Sequence, residues 1–323
     1  MFLDMNMSSV EEKLRAKVAE LLSTKKVDLV LGYQAGSAGI GIRPAFIRDA
    51  ADAKRLVYNP LCGHNLSVFL RRHKGEKVAI VAKPCDTRSL VGLIQERQID
   101  RDSLTILAVP CEGVLNISKI EQIIPSDTIR SLAIEKDQLV VGTDQGQKRL
   151  PLKELLSQGC CICKITEPII SDEILGQCQR KPAETDEFAE VRSLAQRSPQ
   201  ERWDDFSQEM RKCITCFACR NACPACYCTT CFIDASGPKW LGKTDHLSDV
   251  QVFHITRLMH MVGRCTGCGA CLRACPMGVN LHKYTGKIRL DACEFFDFEA
   301  GDDPKAKAPL STYSESDPND FFM

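Results

Sequence analysis

The chain has 323 residues, 44% apolar and 26% charged, with 42 Lys plus Arg against 42 Asp plus Glu. That length allows two domains with their own apolar cores, and the balanced charge gives no footing for a nucleic-acid or membrane-surface partner. No run of 18 uncharged apolar residues is present, so no membrane span is expected.

Ser9 and Glu12 form a capping-box pattern, and Val10, Leu14, Val18, Leu21 and Leu22 follow at helical spacing. VDLVLGY (27–33) reads as a buried strand and QAGSAGIGIRP (34–44) as a glycine-rich loop. Its Gly36, Gly39 and Gly41 do not follow the dinucleotide fingerprint, so a plain loop is expected, with a flavin phosphate contact as the alternative. Residues 60–71 are expected to be helical. KVAIVA (77–82) is an apolar strand leading into Lys83-Pro84-Cys85-Asp86 and a helix through TRSLVGLIQER. LTILAV (104–109) leads likewise into Pro110-Cys111-Glu112-Gly113. Sites in open α/β sheets assemble at the carboxyl ends of strands, so residues 28–115 predict an α/β domain with two cysteines on its functional edge.

DQLVVGTDQGQKRLPL (137–152) alternates around a turn as a hairpin does and delivers the chain to GCCICK at 159–164. Residues 179–211 are charged, helical in pattern and poor in large apolar side chains, as in a connecting arm. DHLSDVQVFHITRLMHMVGR (245–264) predicts one helix, and the polar tail from about 300 is expected to be extended or partner-bound.

Nineteen cysteines are an odd number, and the N-terminus turns charged too early for a secretory signal. Thiolate-bound metal in a reducing cytoplasm is therefore expected in place of disulfides. In KCITCFACRNACPACYCTTCF (212–232), Cys213, Cys216, Cys219 and Cys223-Pro224 follow C-x2-C-x2-C-x3-C-P. Cys265, Cys268, Cys271 and Cys275-Pro276 repeat it. This is the bacterial ferredoxin run, in which the fourth cysteine ligates the other cluster. One 4Fe–4S cluster is thus expected on Cys213, Cys216, Cys219 and Cys275, and a second on Cys265, Cys268, Cys271 and Cys223. A structural zinc would ask for two separated C-x2-C pairs instead.

VAIVAKPCDTRSLVGLI, LAVPCEGV and the C-x2-C of Cys160 and Cys163 resemble the beta subunits of deazaflavin (coenzyme F420)-dependent hydrogenases and formate dehydrogenases, over roughly 27–175. The resemblance implies a flavin- and cluster-bearing α/β domain, with a third cluster on Cys85, Cys111, Cys160 and Cys163. It also implies that Lys83, Asp86 and Arg88 face a flavin (FAD), although an N-cap is the plainer role for Asp86. The cysteine-rich half departs from the typical member and resembles iron–sulfur relatives accompanying heterodisulfide-reductase-like complexes.

Cys226, Cys228 and Cys231 need one more thiolate to hold a fourth cluster, and Cys62 is the preferred candidate; a loop set around a neighbouring cluster is the alternative. Cys161, Cys178 and Cys293 are then ordinary thiols. Lys212, Arg220, Arg264 and Arg273 adjoin ligand cysteines or belong to the solvated surface. A unit charge about 6 Å from a cluster, at an effective dielectric near 20, is worth roughly 3 kcal/mol. For one electron that is on the order of 100 mV. His254 and His260 fall on different helix faces, and His64 and His282 adjoin cysteine sets complete without them, so the histidines are expected to be structural.

The expected fold is an N-terminal α/β domain followed by a ferredoxin-like, mostly helical and loop, two-cluster domain. Its segments are 1–130, a hairpin and C-x2-C segment at 131–178, an arm at 179–211, the cluster domain at 212–299 and a tail at 300–323. The expected function is electron transfer between a flavin or nicotinamide module and a partner in an anaerobic, multi-subunit redox complex. Its other subunits would be a flavoprotein, hydrogenase, formate dehydrogenase or heterodisulfide-reductase-like protein. The alternative is a flavin-containing catalytic subunit exchanging hydride with a deazaflavin or nicotinamide coenzyme.

Overall fold

A computed structural model describes residues 9–37, 40–135 and 137–312; Gly39 and the last part of the expected tail lie outside these. The chain forms two compact units, one taking residues up to Thr87 together with Ile99–Ala183, the other Arg88–Gln98 and Glu184 onward.

In the first unit, helix α1 (Ser9–Ser23) buries Leu14, Val18, Leu21 and Leu22 as its spacing requires. Each such leucine contributes on the order of 1.5–3 kcal/mol. Strand β1 (Leu29–Ala35) pairs with β2 (Ile42–Ile47) antiparallel. Strand β2 carries Pro44, which a sheet tolerates at its edge, and β2 is an edge strand. The expected helix over 60–71 is replaced by a turn at Asn59–Cys62, whose Asn59 Oδ1 accepts from the Leu61 amide at 2.8 Å. A 3-10 helix, Leu66–His73, follows, capped by Asn65. Local side-chain bonds from asparagine compete with helix, and here they prevail.

Strand β3 (Val78–Ala82) is buried throughout, and helix α2 (Pro84–Gln95) starts in the first unit and continues in the second. Strand β4 (Leu104–Ala108) lies parallel to β3, with Ala82 opposite Ala108. After α3 (Ile117–Ile123), strands β5 (Ile129–Glu135), β6 (Gln138–Thr143) and β7 (Gly146–Pro151) form a separate antiparallel sheet. Its hairpin β6–β7 is the one expected from alternation. Short helices α4 (Leu152–Leu155) and α5 (Gln158–Cys161) lead to β8 (Glu173–Ile174), which joins the main sheet parallel to β4. The main sheet runs β2-β1-β3-β4-β8.

The second unit contains α6 (Ala189–Ala195), α7 (Pro199–Met210), α8 (Ala218–Asn221), α9 (Leu247–Met259), α10 (Ala270–Arg273) and α11 (His282–Phe296). The stretch expected as an arm is packed: Phe206 and Met210 of α7 join a core with Val250, Phe253, Val279 and Leu281. Its charges serve the packing too, since Lys283 Nζ sits 2.5 Å from Asp205. The described start of the tail is likewise held, with the Gln95 amide donating to Asp303 and Ala306 carbonyls at 2.9 and 2.8 Å. No helix among the described residues is long and apolar enough to cross a membrane.

Candidate metal centre

The two cysteine runs of the second unit are built alike, 52 residues apart (265 minus 213). Each wraps into a four-residue helix, α8 or α10, before its Cys-Pro. The residues preceding these helices, Phe217 and Gly269, both have left-handed backbone, at φ +57° and +69°. Thr215 and Gly267, two residues earlier, match as well, at φ +50° and +68°. Glycine reaches this region without cost, whereas Thr215 and Phe217 are strained, as segments at functional sites often are. At Gly267 a Cβ would also stand 2.6 Å from the Arg289 guanidinium.

Cys223, Cys265, Cys268 and Cys271 line one cavity of about 50 Å³. Three come from the second run and one from the first, the crossed set expected from sequence. Burial pushes the Cys271 thiol up to about 12 and raises Cys265. A hydrogen bond with Cys226, then burial, raises Cys223. Thiols held neutral in this way become ligands when a metal displaces their protons. Cys213, Cys219 and Cys275 lie within electrostatic reach of one another, and Cys216 within reach of Cys213. Two of these sulfurs already accept amide protons, Cys213 from Thr215 and Cys275 from Val279, both at 3.4 Å. Among the described residues no three His, Cys, Asp or Glu gather as a ligand set for a single ion. All-sulfur donors spread around a cavity suit a cube with one thiolate per iron.

Electrostatics around the thiols differ from the sequence expectation. Lys212, Arg220 and Arg264 pair with Glu209, Asp234 and Glu96 at 2.9, 2.6 and 2.7 Å. Arg273 donates to the Cys268 carbonyl at 2.9 Å. Two buried arginines adjoin the thiols: Arg289 of α11, beside Cys265 and paired with Glu187 and Glu299, and Arg257 of α9, 3% exposed, whose Nη2 donates to the Cys219 carbonyl at 3.2 Å. Its Nε and Nη1 are buried without a hydrogen-bond acceptor, and the residue lines the cavity. Burial works against its charge, and Cys223, Cys226, Cys271 and Cys219 outweigh the burial. His254, expected to be structural, places Nε2 3.5 Å from Cys213 Sγ. Burial lowers its pKa to about 4, so the ring is neutral, and its Nδ1 has no hydrogen-bond partner. Sequence reasoning missed both because they are distant from the runs in the chain. The available signal was a polar side chain on the buried stripe of α9, where Gln251, His254 and Arg257 alternate with Val250, Phe253 and Leu258.

In the first unit, Cys85 and Cys111 follow the carboxyl ends of adjacent parallel strands, as expected. Cys111 lies within electrostatic reach of Cys160, and burial pushes its thiol up to about 12. Cys160 Sγ accepts from the Val114 amide at 3.3 Å, and its carbonyl accepts from Arg180. Cys163 Sγ contacts the Ile165 carbonyl at 3.6 Å. Cys62 belongs here too, within reach of Cys111 and Lys83, and burial pushes it up to about 12. Of its expected companions in the second unit, Cys226 packs with Leu258 and Met261, Cys231 packs with Phe253, and Cys228 is exposed.

The three residues expected to face a flavin each have protein partners. The Lys83 ammonium lies 2.8 Å from Asp86 and donates to Tyr33 Oη at 2.5 Å and the His64 carbonyl at 2.8 Å. Asp86 also accepts from the Lys83 amide at 3.1 Å, the capping role that competes with a ring contact. Arg88 belongs to the second unit, where it binds the Ala300 carbonyl and, at 2.7 Å, Glu299. A cleft of about 810 Å³ does open at the sheet edge, lined by Tyr58, Cys62, Lys83, Cys111, Glu112 and Leu175 among others.

Two segments of the chain match known families. Residues 209–279 match the 4Fe-4S dicluster domain, and residues 75–201 match the C-terminal part of the coenzyme F420 hydrogenase/dehydrogenase beta subunits. An F420-dependent formate dehydrogenase subunit beta of Methanocaldococcus jannaschii is 24% identical over 335 aligned residues, 83% of this chain and 87% of that protein. An F420-dependent formate dehydrogenase 1 subunit beta of Methanococcus maripaludis is 22% identical, covering 75% and 78%. A chain of the F420-reducing [NiFe] hydrogenase complex from Methanosarcina barkeri aligns at TM-score 0.38 and 16% identity, over 49% of this chain and 62% of that one. The chain is thus similar to F420-dependent formate dehydrogenase beta subunits along most of its length, and its residues 209–279 match a 4Fe-4S dicluster domain.

Proposed function

We propose that this chain is the electron-transfer iron–sulfur subunit of a multi-subunit F420-linked dehydrogenase or hydrogenase. The observation that carries the reading is the crossed set of Cys223, Cys265, Cys268 and Cys271 around one cavity. Cys213, Cys216, Cys219 and Cys275 would hold the companion cube. Bound 4Fe–4S cubes each take up and release one electron. The protein's part is to bind them and to set their surroundings. Phe253, Val279 and Leu281 on one side, and Leu258, Met261 and Ile288 on the other, keep water from the thiols. His254 gives one ligand sulfur a hydrogen bond, which stabilises the more negative state.

A third cube on Cys85, Cys111, Cys160 and Cys163 extends the proposal to the sheet edge. A fourth, on Cys62, Cys226, Cys228 and Cys231, stands on the arithmetic of the sequence alone. Partner subunits of the formate dehydrogenase or hydrogenase type are inferred from the relatives. The test is a stoichiometric titration: oxygen-free, iron-loaded chain is reduced with dithionite and reoxidised with a viologen dye. At least about two electrons per chain should be returned if two cubes are present; a chain returning none overturns the reading.

The second reading, hydride exchange at a bound flavin, is favoured by the 810 Å³ cleft, whose volume suits a ring cofactor. An absorption spectrum of cofactor extracted from the native complex decides: about one flavin per chain supports it, and none opposes it.

A further inference from the structure

Arg257 reaches ligands of both cysteine sets. Its Nη2 donates to the carbonyl of Cys219, which belongs to the first set. Cys223 and Cys271, which line one cavity with Arg257, belong to the second. It lines the cavity of that second set, with Nε and Nη1 buried and without an acceptor. Among the described residues no carboxylate pairs with Arg257, whereas Lys212, Arg220 and Arg264 each have one.

Burying a guanidinium without a carboxylate is costly, and only an anion at the orphaned N–H groups repays it. Thiolate-ligated iron–sulfur cubes are such anions. Resting on the reading that both cubes are bound, we propose that Arg257 is their shared counter-charge, a positioning residue that raises both reduction potentials together. Reduction adds one negative charge to an anionic group, and a fixed cation beside both sites favours that step at either. Arginine stays charged at any working pH, so the effect does not titrate.

The test uses the full chain, prepared without oxygen, as wild type, Arg257→Met, Arg257→Lys and the control Arg220→Met. Iron is counted and each cube's midpoint potential is read by an electron paramagnetic resonance redox titration. Arg257→Met should keep its iron and lower both potentials, by at least tenfold in each reduction equilibrium, which is 59 mV for one electron. Arg257→Lys should fall between, and Arg220→Met, whose charge is already paired with Asp234, should match wild type. Iron-replete Arg257→Met with unchanged potentials, or with only one moved, overturns the proposal. If Arg257→Met fails to hold iron, Arg257→Lys decides: a potential shift in both cubes supports the proposal. Wild-type potentials in Arg257→Lys, or loss of iron there too, overturn it. A wild-type chain that itself holds no cubes refutes the reading underneath, and is recognised from the iron count.

Discussion

Replacing Lys83 by Met tests whether this lysine anchors the sheet edge. Lys83 is 1% exposed and Asp86 0%, with their charges 2.8 Å apart. Burial alone would lower the Lys83 pKa, and Asp86 and Tyr33 outweigh that and raise it above its ordinary value. Without the ammonium, Asp86 becomes a buried carboxylate lacking its counter-charge, a loss of about 3–5 kcal/mol. The Tyr33 hydroxyl keeps its bond to the His64 carbonyl at 2.7 Å, so Asp86 dominates the cost. At 1.36 kcal/mol per decade, exchange of the most protected amides should accelerate by roughly 200- to 5,000-fold. Hydrogen exchange by mass spectrometry on the peptide spanning β3 isolates the first unit, since both tryptophans lie in the second. Lys83→Met/Asp86→Leu removes both charges and should recover most of the protection. Less than tenfold acceleration in the single variant, or a double variant no better than the single, would refute the reasoning.

Ligand swapping gives a second prediction: Cys223→Ser should abolish the same cube signal as Cys265→Ser, and Cys275→Ser the same signal as Cys213→Ser. Pairing of Cys223 with Cys213 instead would defeat the crossed assignment. Glu76, drawn down to about 2 by its bonds to Arg48 and His73, stabilises the fold above the ordinary carboxylate range and loses that contribution as pH falls toward 2. The melting difference between wild type and Glu76→Gln should therefore be full at pH 7, shrink below about pH 4.5 and vanish near 2; a constant difference contradicts this. Gly301, buried at φ +73°, has no room for a Cβ, which would strike the Arg88 carbonyl. Gly301→Ala should cost the second unit roughly 1–3 kcal/mol, read from tryptophan fluorescence in urea, and an unchanged midpoint would count against the packing described.

Continuous apolar runs made β3 and β4 legible, because strands buried on both faces leave no polar alternation to misread. Edge strands were harder: β2 carries Arg43 and Pro44, and β8 has two residues, so neither has an apolar signature. Of residues 60–71 only Leu66 onward is helical, as a 3-10 helix, because Asn59 and Asn65 satisfy the backbone locally, a competition that periodicity does not register. At the candidate metal centre the cysteines that line one cavity were legible from spacing, since a short C-x2-C-x2-C loop keeps its thiols close together. The charges that tune them were not. Of the cations beside cysteines in sequence, Lys212, Arg220 and Arg264 pair with carboxylates and Arg273 with the Cys268 carbonyl, whereas Arg257 arrives from a helix between the runs, through tertiary packing alone.

The central claim is that cysteine sets crossing between the two runs hold electron-carrying cubes. Low-temperature electron paramagnetic resonance of the oxygen-free chain, before and after dithionite, tests it most directly. A brown protein is expected, silent when oxidised, that on reduction gives interacting signals integrating to about two spins or more per chain. A colourless protein with no signal in either state would contradict it.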